Sequence, residues 1–333
     1  MNIGLALPHY DFSAPDGAPV SWERLSASAQ RAESLGFHSA WISDHFWLSL
    51  ARYGGPDEPF GSPEPLTALA GLAAVTERIR LGTLVLGAGF RHPALLVKAA
   101  TTIDLLSGGR LDLGLGAGWY RDEYEAFGYP FGSTGERFEL LEETLEVLTR
   151  LFSDGPATWE GRHFQLHDAY SRPKPVQKPH PPIWVGGKGG PRLRRLVARR
   201  GDGWNTVWAW TPEDYGRRAR ALREACDREG RDMVRQSVGL YALVGEDERD
   251  LVARYRALQR WAPGGALDGD LLDDWGRDKL VGTPQQVHAR LAEFAAHGVE
   301  EVILSAASIP FSVYDESMLD LVAAEVIPAA RDL

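Results

Sequence analysis

The chain has 333 residues, of which 44% are hydrophobic and 25% charged, and its formal net charge is −10. A chain of this size can bury a large core without disulfides or structural metals, and a single α/β barrel accounts for its length as well as two domains would. The negative charge argues against nucleic acids and anionic membranes as general partners, because both would be repelled.

The sequence carries no sign of export or of membrane insertion. Its only cysteine is Cys226, which suits a reducing compartment, and the N-terminus lacks the basic region and apolar segment of a signal peptide. No run approaches the ~20 apolar residues of a membrane-spanning helix. We therefore expect a cytoplasmic protein.

Strand-like and helix-like segments alternate along the chain, and several helix ends carry capping signals. Ser21 and Gly36 flank the first helix, whose Trp22, Leu25, Ala29 and Ala32 share one face, and Pro93 and the box Thr283–Gln286 begin later helices. The predicted strands are 2–7, 39–42, 79–85, 110–115, 183–185, 203–207, 236–244 and 299–304. The predicted helices are 22–35, 65–76, 93–106, 136–152, 191–200, 212–229, 246–258, one beginning at 284, and 316–331.

Two regions interrupt the alternation. Residues 153–182 contain a predicted hairpin around Gly161 and a proline-rich extended run, and residues 261–282 are Gly- and Asp-rich, which predicts an irregular loop or lid. About eight strand–helix units predict a closed (β/α)8 TIM barrel, a single domain over 1–333 with these two insertions at its mouth. The alternative is an open, doubly wound sheet with two domains.

The pair Asp44-His45 directly follows the second predicted strand. In a barrel, residues at this position lie at the catalytic mouth, and histidine is the usual handler of protons near neutral pH. The alternative is a buried structural histidine beside a helix-capping aspartate. Other strand ends add further histidine and several tryptophans, which suit a flat, conjugated ligand: His9, Trp47, Trp119, Trp208 and Trp210.

Two glycine-rich segments also follow strands. Gly186-Gly187-Lys188 precedes a helix, and its backbone N–H groups and lysine favour an anion, although a flexible turn is the alternative. Alternate glycines at 114, 116 and 118 favour close approach by a ligand over barrel packing. Neither a zinc-protease motif nor the Gly-x-Ser-x-Gly of a serine hydrolase occurs, so we expect no metal site.

Taken together, these segments resemble the luciferase-like superfamily of flavin- and deazaflavin-dependent oxidoreductases, and most closely its branch that uses the deazaflavin coenzyme F420. The resemblance covers nearly the whole chain. Besides the opening strand, it is carried by residues 35–46, 78–128, 159–166, 173–189 and 281–287.

The resemblance implies a TIM barrel that holds the cofactor at its C-terminal mouth. Asp44 and His45 would lie beside the deazaflavin ring, with His45 as proton donor or acceptor, and a cis peptide bond between Leu84 and Val85 would support the ring. The phosphate-bearing tail is expected on Gly186, Gly187 and Lys188, with three further residues nearby: Ala117, Gly118 and Asp122.

One departure bears on the substrate. Sugar-phosphate dehydrogenases of this branch have an acidic glutamate where Trp119 stands, so we expect a more apolar small molecule, in a pocket that includes His9 and the four tryptophans named above. The expected reaction is hydride transfer between F420 and that substrate. The alternatives are a two-component monooxygenase that uses reduced FMN and oxygen, and a non-catalytic flavin-binding barrel. A reductase that supplies reduced cofactor and a homodimeric state are further implications of the resemblance.

Overall fold

The computed structural model describes residues 1–14 and 16–333. The strands are β1 (Asn2–Ala6), β2 (Ser39–Ile42), β3 (Trp47–Ser49), β4 (Pro59–Gly61), β5 (Arg80–Thr83), β6 (Leu86–Gly87), β7 (Leu111–Gly116), β8 (Ala157–Glu160), β9 (Gln165–Ala169), β10 (Ile183–Gly186), β11 (Gly203–Trp208), β12 (Arg235–Val244), β13 (Leu280–Gly282) and β14 (Glu301–Ser305). The helices are α1 (Trp22–Ser34), α2 (Pro65–Val75), α3 (Pro93–Leu106), α4 (Arg121–Ala126), α5 (Thr134–Phe152), α6 (Pro191–Arg200), α7 (Pro212–Arg228), α8 (Glu248–Trp261), α9 (Leu272–Gly276), α10 (Pro284–Ala296), α11 (Glu316–Leu321) and α12 (Ile327–Ala330).

Within these residues, eight parallel strands close into a barrel in the order β10, β11, β12, β14, β1, β2, β5 and β7. The ring closes because β10 pairs with β7 as well as with β11, with Ile183 opposite Leu113. The predicted TIM barrel is confirmed, and the open doubly wound sheet is wrong because that sheet would leave two unpaired edges. Across the described ranges, no helix has both the length and the apolar character needed to span a bilayer.

Two buried tryptophans, Trp41 of β2 and Trp184 of β10, contribute to the core, and two glycines make room for them. A side chain on Gly82 would come within 2.2 Å of the Trp41 ring, and one on Gly203 would come equally close to Trp184. The two indoles meet edge to face with centroids 6.2 Å apart. Around the barrel, the helices bury apolar stripes, as on α5, where Leu141, Leu145, Leu148 and Phe152 are buried as predicted.

Several local predictions are confirmed. Strands β8 and β9 form the hairpin expected around Gly161, Ser21 caps α1 by accepting from the Arg24 N–H, and Gly36 follows that helix with a φ of 84°. Thr283 and Gln286 form the capping box of α10. The sequence therefore determines these helix ends through local hydrogen bonds, independently of the tertiary fold.

Other predictions need correction. Residues 261–282 are irregular only in part: beside turns, they contain α9 and the strand β13, which pairs in parallel with β12. The predicted last helix is interrupted by a π-helical turn, Val322–Val326, between α11 and α12. Trp22 is 44% exposed and does not join the buried stripe of α1, because it lies in the first turn, against Gly71 of α2.

A buried glutamate lies at the amino-terminal end of the barrel. Glu301 begins β14 and accepts a hydrogen bond from the Ser39 hydroxyl, which in turn accepts from the Trp41 indole at 2.6 Å. Burial raises the pKa of Glu301 from 4.5 to about 7. The Glu301 carboxyl stays protonated in the folded chain at pH values where it ionises in the unfolded chain. Its protonation therefore contributes to the stability of the fold below pH 4.5, and this contribution is lost as the pH rises to about 7.

We expect Glu301→Gln to remove this pH dependence, because glutamine keeps an acceptor for Ser39 but cannot ionise. Relative to the wild type, the free energy of unfolding of the variant should rise by about 3 kcal/mol between pH 4.5 and pH 8, the equivalent of the pKa shift. Urea unfolding at a series of pH values measures this difference. Parallel profiles for the two proteins would contradict the prediction.

Candidate active site at the barrel mouth

His45, which follows β2, is paired with a buried glutamate from α4. Its Nδ1 lies 2.7 Å from Oε1 of Glu123, whose Oε2 accepts the Phe46 N–H at 3.0 Å. An ionised carboxylate can only accept, so Nδ1 carries the hydrogen and donates it to Glu123. The imidazole Nε2 is then the ring atom left to take up or release a proton.

Asp44, the neighbouring carboxylate, is held by an arginine from the loop before α3. Arg91 donates to both Asp44 oxygens, at 2.6 and 2.9 Å, and the Gly87 N–H donates to Oδ2 at 2.9 Å. Arg91 also pairs with Glu64 at 2.6 Å. Asp44 is buried, and these bonds join the end of β2 to β6 and to the loop that leads into α3.

His9 lies behind this segment with no exposed surface. Its Nε2 accepts the Ser43 N–H at 3.1 Å and its Nδ1 lies 2.8 Å from the Leu7 carbonyl oxygen, an arrangement that fixes the neutral Nδ1–H tautomer. Burial lowers the pKa of His9 to about 3. Tyr10 completes the group, with its hydroxyl 2.6 Å from the Ser43 hydroxyl. The structure thus gives His9 a supporting position behind the mouth, with both ring nitrogens engaged.

Aromatic rings form one wall beside His45. The His45 ring meets the Trp119 ring edge to face, with centroids 5.5 Å apart, and Tyr120 packs against both Trp119 and Trp47. Trp119 remains 46% exposed. The Arg52 guanidinium lies over its ring, 4.3 Å from the centroid. Trp47 and Trp119 are therefore brought together with His45, as the sequence predicted.

Of the other two predicted tryptophans, Trp208 is the last residue of β11 and Trp210 follows that strand. Trp208 stacks on Tyr241 with centroids 5.5 Å apart and meets Phe311 edge to face. Trp210 is buried below the Lys188 ammonium, which lies 4.9 Å from its ring. Trp208 and Trp210 therefore pack against different partners, and among the described residues neither ring stacks on Trp47, Trp119 or Tyr120.

Val85 occupies the centre of the mouth, and three strand glycines accommodate it. Side chains on Gly114, Gly116 or Gly186 would each come within 2.8 Å of Val85 methyl groups. The alternate glycines Gly114 and Gly116 of β7 therefore make room for Val85, as barrel packing requires, and the ligand interpretation of their spacing stays a prediction. The Leu84–Val85 peptide bond is cis, as the resemblance implies.

The predicted phosphate-binding residues lie at two places. Gly186, Gly187 and Lys188 end β10 ahead of α6, and the Lys188 ammonium donates to the Val207 carbonyl, with a pKa lowered by burial. Ala117 and Gly118 are half-buried after β7, whereas Asp122 is exposed on α4. Lys188 would have to leave the Val207 carbonyl to reach a phosphate, and the roles of these residues stay predictions.

Sequence reasoning missed Glu123 and the role of Arg91. It selected Asp122, one residue before the carboxylate that contacts His45, because nothing in the spacing shows which acidic residue of a short helix is turned inward. The burial pattern of α4 distinguishes the two acidic residues. Glu123 and Tyr124 are the buried positions of this helix, and Glu123 is the acidic residue of that pair.

A parallel barrel with a histidine–carboxylate pair among aromatic rings at its mouth is the architecture of a barrel enzyme. The sequence model of the luciferase-like monooxygenase family matches residues 1–301. The chain belongs to this family and is an oxidoreductase. The F420-dependent glucose-6-phosphate dehydrogenase of Kineococcus radiotolerans is 34% identical over 263 residues, which cover 76% of this chain and 72% of that protein.

Solved structures agree with this assignment. The monooxygenase RslO1 from Streptomyces bottropensis is 25% identical, with a TM-score of 0.77 and coverage of 98% of this chain and 99% of that one. An F420-dependent secondary alcohol dehydrogenase, in complex with an F420–acetone adduct, shares the fold at 22% identity, with a TM-score of 0.76 and coverage of 99% of both chains. The proteins similar to this chain thus include an F420-dependent dehydrogenase and a monooxygenase.

We expect Arg91→Met to lower the free energy of unfolding by about 3–5 kcal/mol, because it leaves the buried Asp44 carboxylate without its partner. Glu64→Gln is the matched control: it removes the more exposed partner of the same arginine and should cost less than about 1 kcal/mol. Urea unfolding measures both. The double variant Arg91→Met/Asp44→Asn should recover much of the loss, and a double variant no more stable than Arg91→Met would contradict this account.

Proposed function

We propose that this protein transfers hydride between coenzyme F420 and a small, largely apolar organic substrate, with His45 as the proton donor or acceptor. The observation that carries the proposal is the His45–Glu123 pair. Reduction of a carbonyl or an activated double bond needs a proton as well as a hydride, and oxidation of an alcohol needs a proton acceptor. His45 can supply either need from the same atom, Nε2.

Glu123 supports this role by setting the tautomer of the imidazole. The Glu123 carboxylate accepts the Nδ1–H group, with Nδ1 and Oε1 2.7 Å apart, so the ring cannot rotate without breaking that bond. The same carboxylate stabilises the charged imidazolium that forms when Nε2 takes up a proton, as in other histidine–carboxylate pairs. Asp44 is a different case: Arg91 and the Gly87 N–H occupy its oxygens, and we infer that it positions the end of β2.

The residues at the mouth are compatible with a deazaflavin. Gly190 is the N-cap residue of α6 and supplies no side-chain cap, so N–H groups of the first turn can donate hydrogen bonds to an anionic tail. The Trp210 indole N–H is buried without a hydrogen-bond partner among the described residues and offers a further donor beside Lys188. F420, when bound, supplies the hydride, while the chain supplies the proton, the orientation and the exclusion of water.

A titration of the purified protein with F420 and with FMN, in both oxidation states, tests the cofactor. Tight binding of F420 alone would support the proposal. Preferred binding of FMN would overturn it in favour of an FMN-dependent monooxygenase, the alternative that the family and the similarity to RslO1 keep open. Binding without turnover of any substrate, and without effect of replacing His45, would indicate a non-catalytic flavin-binding barrel.

We expect His45→Asn to lower turnover by roughly 10²–10⁴-fold and to leave the dissociation constant for F420 within a few-fold. Asparagine has a similar polarity but cannot exchange a proton at the position of Nε2. Steady-state turnover and a separate cofactor titration measure the two effects. The control is His92→Asn at the start of α3, where the side chain caps the helix and packs edge to face against Phe164. Equal turnover of His45→Asn and the wild type would remove His45 from the mechanism.

Glu123→Gln tests the positioning of the histidine. Glutamine keeps an acceptor for the Phe46 N–H but can present an amide donor to Nδ1, which favours the wrong tautomer. We expect turnover to fall roughly 10–1,000-fold, with cofactor affinity and the midpoint of thermal unfolding little changed. A variant as fast as the wild type would show that the pair is structural only.

A further inference from the structure

We propose that Arg52 and Trp119 form a subsite that binds the carboxylate of an aromatic substrate. This inference deepens the function proposed above and rests on it for calling the bound molecule a substrate. The Arg52 guanidinium lies 4.3 Å from the centre of the Trp119 ring and 5.8 Å from that of Tyr53. Among the described residues, no carboxylate lies within ion-pair distance of it, so its charge is held by aromatic rings alone.

Arg52 is held in place by an ordered turn. It occupies the 3₁₀ turn Ala51–Tyr53, closed by hydrogen bonds from the Tyr53 and Gly55 N–H groups to the Leu50 carbonyl at 2.8 and 3.0 Å. The turn lies between β3 and β4, which pair antiparallel. The cation is therefore presented at the mouth by a fixed backbone, which reduces the entropy lost when a ligand binds.

Trp119 connects this cation to the proton-handling group. One face of the exposed indole carries the guanidinium, and its ring meets the His45 imidazole edge to face at 5.5 Å. A planar substrate that packs against this wall would place its reacting carbon towards His45 and its far end towards Arg52. The separation by one indole ring favours a substrate whose anionic group and reacting group lie at opposite ends of an aromatic body.

The chemistry of the guanidinium specifies the anion. When arginine stacks on an aromatic face, the N–H groups at the edge of its plane stay available, and their fork matches the two oxygens of a carboxylate. The chain has a net charge of −10, so an unpaired cation beside the site offsets a field that would otherwise repel an anionic substrate. The aromatic rings of Trp47, Trp119 and Tyr120 suit the apolar body of the same molecule.

Binding of naphthoate and of its neutral amide, naphthamide, to the full-length protein tests the proposal. Isothermal titration calorimetry gives both dissociation constants for the wild type, Arg52→Gln, Arg52→Lys and the control Arg223→Gln, an exposed arginine on α7. We expect Arg52→Gln to weaken naphthoate binding roughly tenfold, Arg52→Lys to lose less, and Arg223→Gln to match the wild type. The affinity for naphthamide should stay within about twofold in all four proteins.

Several results would overturn the subsite. Equal naphthoate affinity of the wild type and Arg52→Gln would show that the cation does not contact the carboxylate. Equal losses of affinity for naphthoate and naphthamide in Arg52→Gln would show that Arg52 only packs against the aromatic wall. Loss of naphthoate binding in Lys188→Gln but not in Arg52→Gln would place the anion beyond β10. Trp119→Leu should weaken both ligands, and retention of amide affinity in that variant would remove the aromatic wall from the subsite.

These measurements need neither cofactor nor turnover, so they separate the subsite from the proposed reaction. Selective naphthoate binding that depends on Arg52, together with a failure to bind F420, would keep the subsite and overturn the F420 assignment. Tight F420 binding with no difference between acid and amide would do the reverse. Each outcome therefore overturns one of the two proposals, the subsite or the F420 assignment, and leaves the other to its own experiment.

Discussion

The arrangement of the mouth depends on four consecutive residues after β2, Ser43 to Phe46, which are held by several distant parts of the chain. Ser43 is bonded to His9 from the first loop, Asp44 to Gly87 and Arg91, and the His45 imidazole and Phe46 N–H to Glu123. The His45 carbonyl accepts from the Ser62 hydroxyl at 2.6 Å. This irregular segment is as firmly bonded as a strand, although it lies outside the barrel ladder, and its rigidity fixes the direction of the imidazole.

The hydrogen bonds of this segment also keep the two carboxylates at the mouth, Asp44 and Glu123, from competing for one cation. Asp44 is neutralised by Arg91, a bidentate partner that is always charged, whereas Glu123 faces only an imidazole and a backbone N–H. If the partners were exchanged, the histidine would lose its orienting carboxylate. Position 91 therefore contributes to the site indirectly, because it satisfies Asp44 and leaves Glu123 for His45.

The sequence predicts the barrel well because alternating strands and helices and their capping residues are local patterns. It also places His45, Trp47 and Trp119 at one mouth, because every parallel strand ends there. It does not predict that Glu123, and not Asp122, reaches His45, since that depends on how a six-residue helix packs. It also misses β3 and β4, because both strands are only three residues long and β4 contains Pro59 and Gly61.

The segments that sequence reasoning described least well meet over the barrel. A side chain on Gly54 would come within 2.9 Å of the Ala266 methyl group, and one on Gly55 within 3.2 Å of Pro263. The β3–β4 turn that carries Arg52 thus packs on the turn that follows α8. Under the proposed function, the barrel strands and the Ser43–Phe46 segment hold the group that exchanges a proton, and we propose that these two loops select the molecules that reach it. Differences in substrate between members of the family are then expected in the loops, where glycine contacts and an exposed arginine can change without disturbing the barrel.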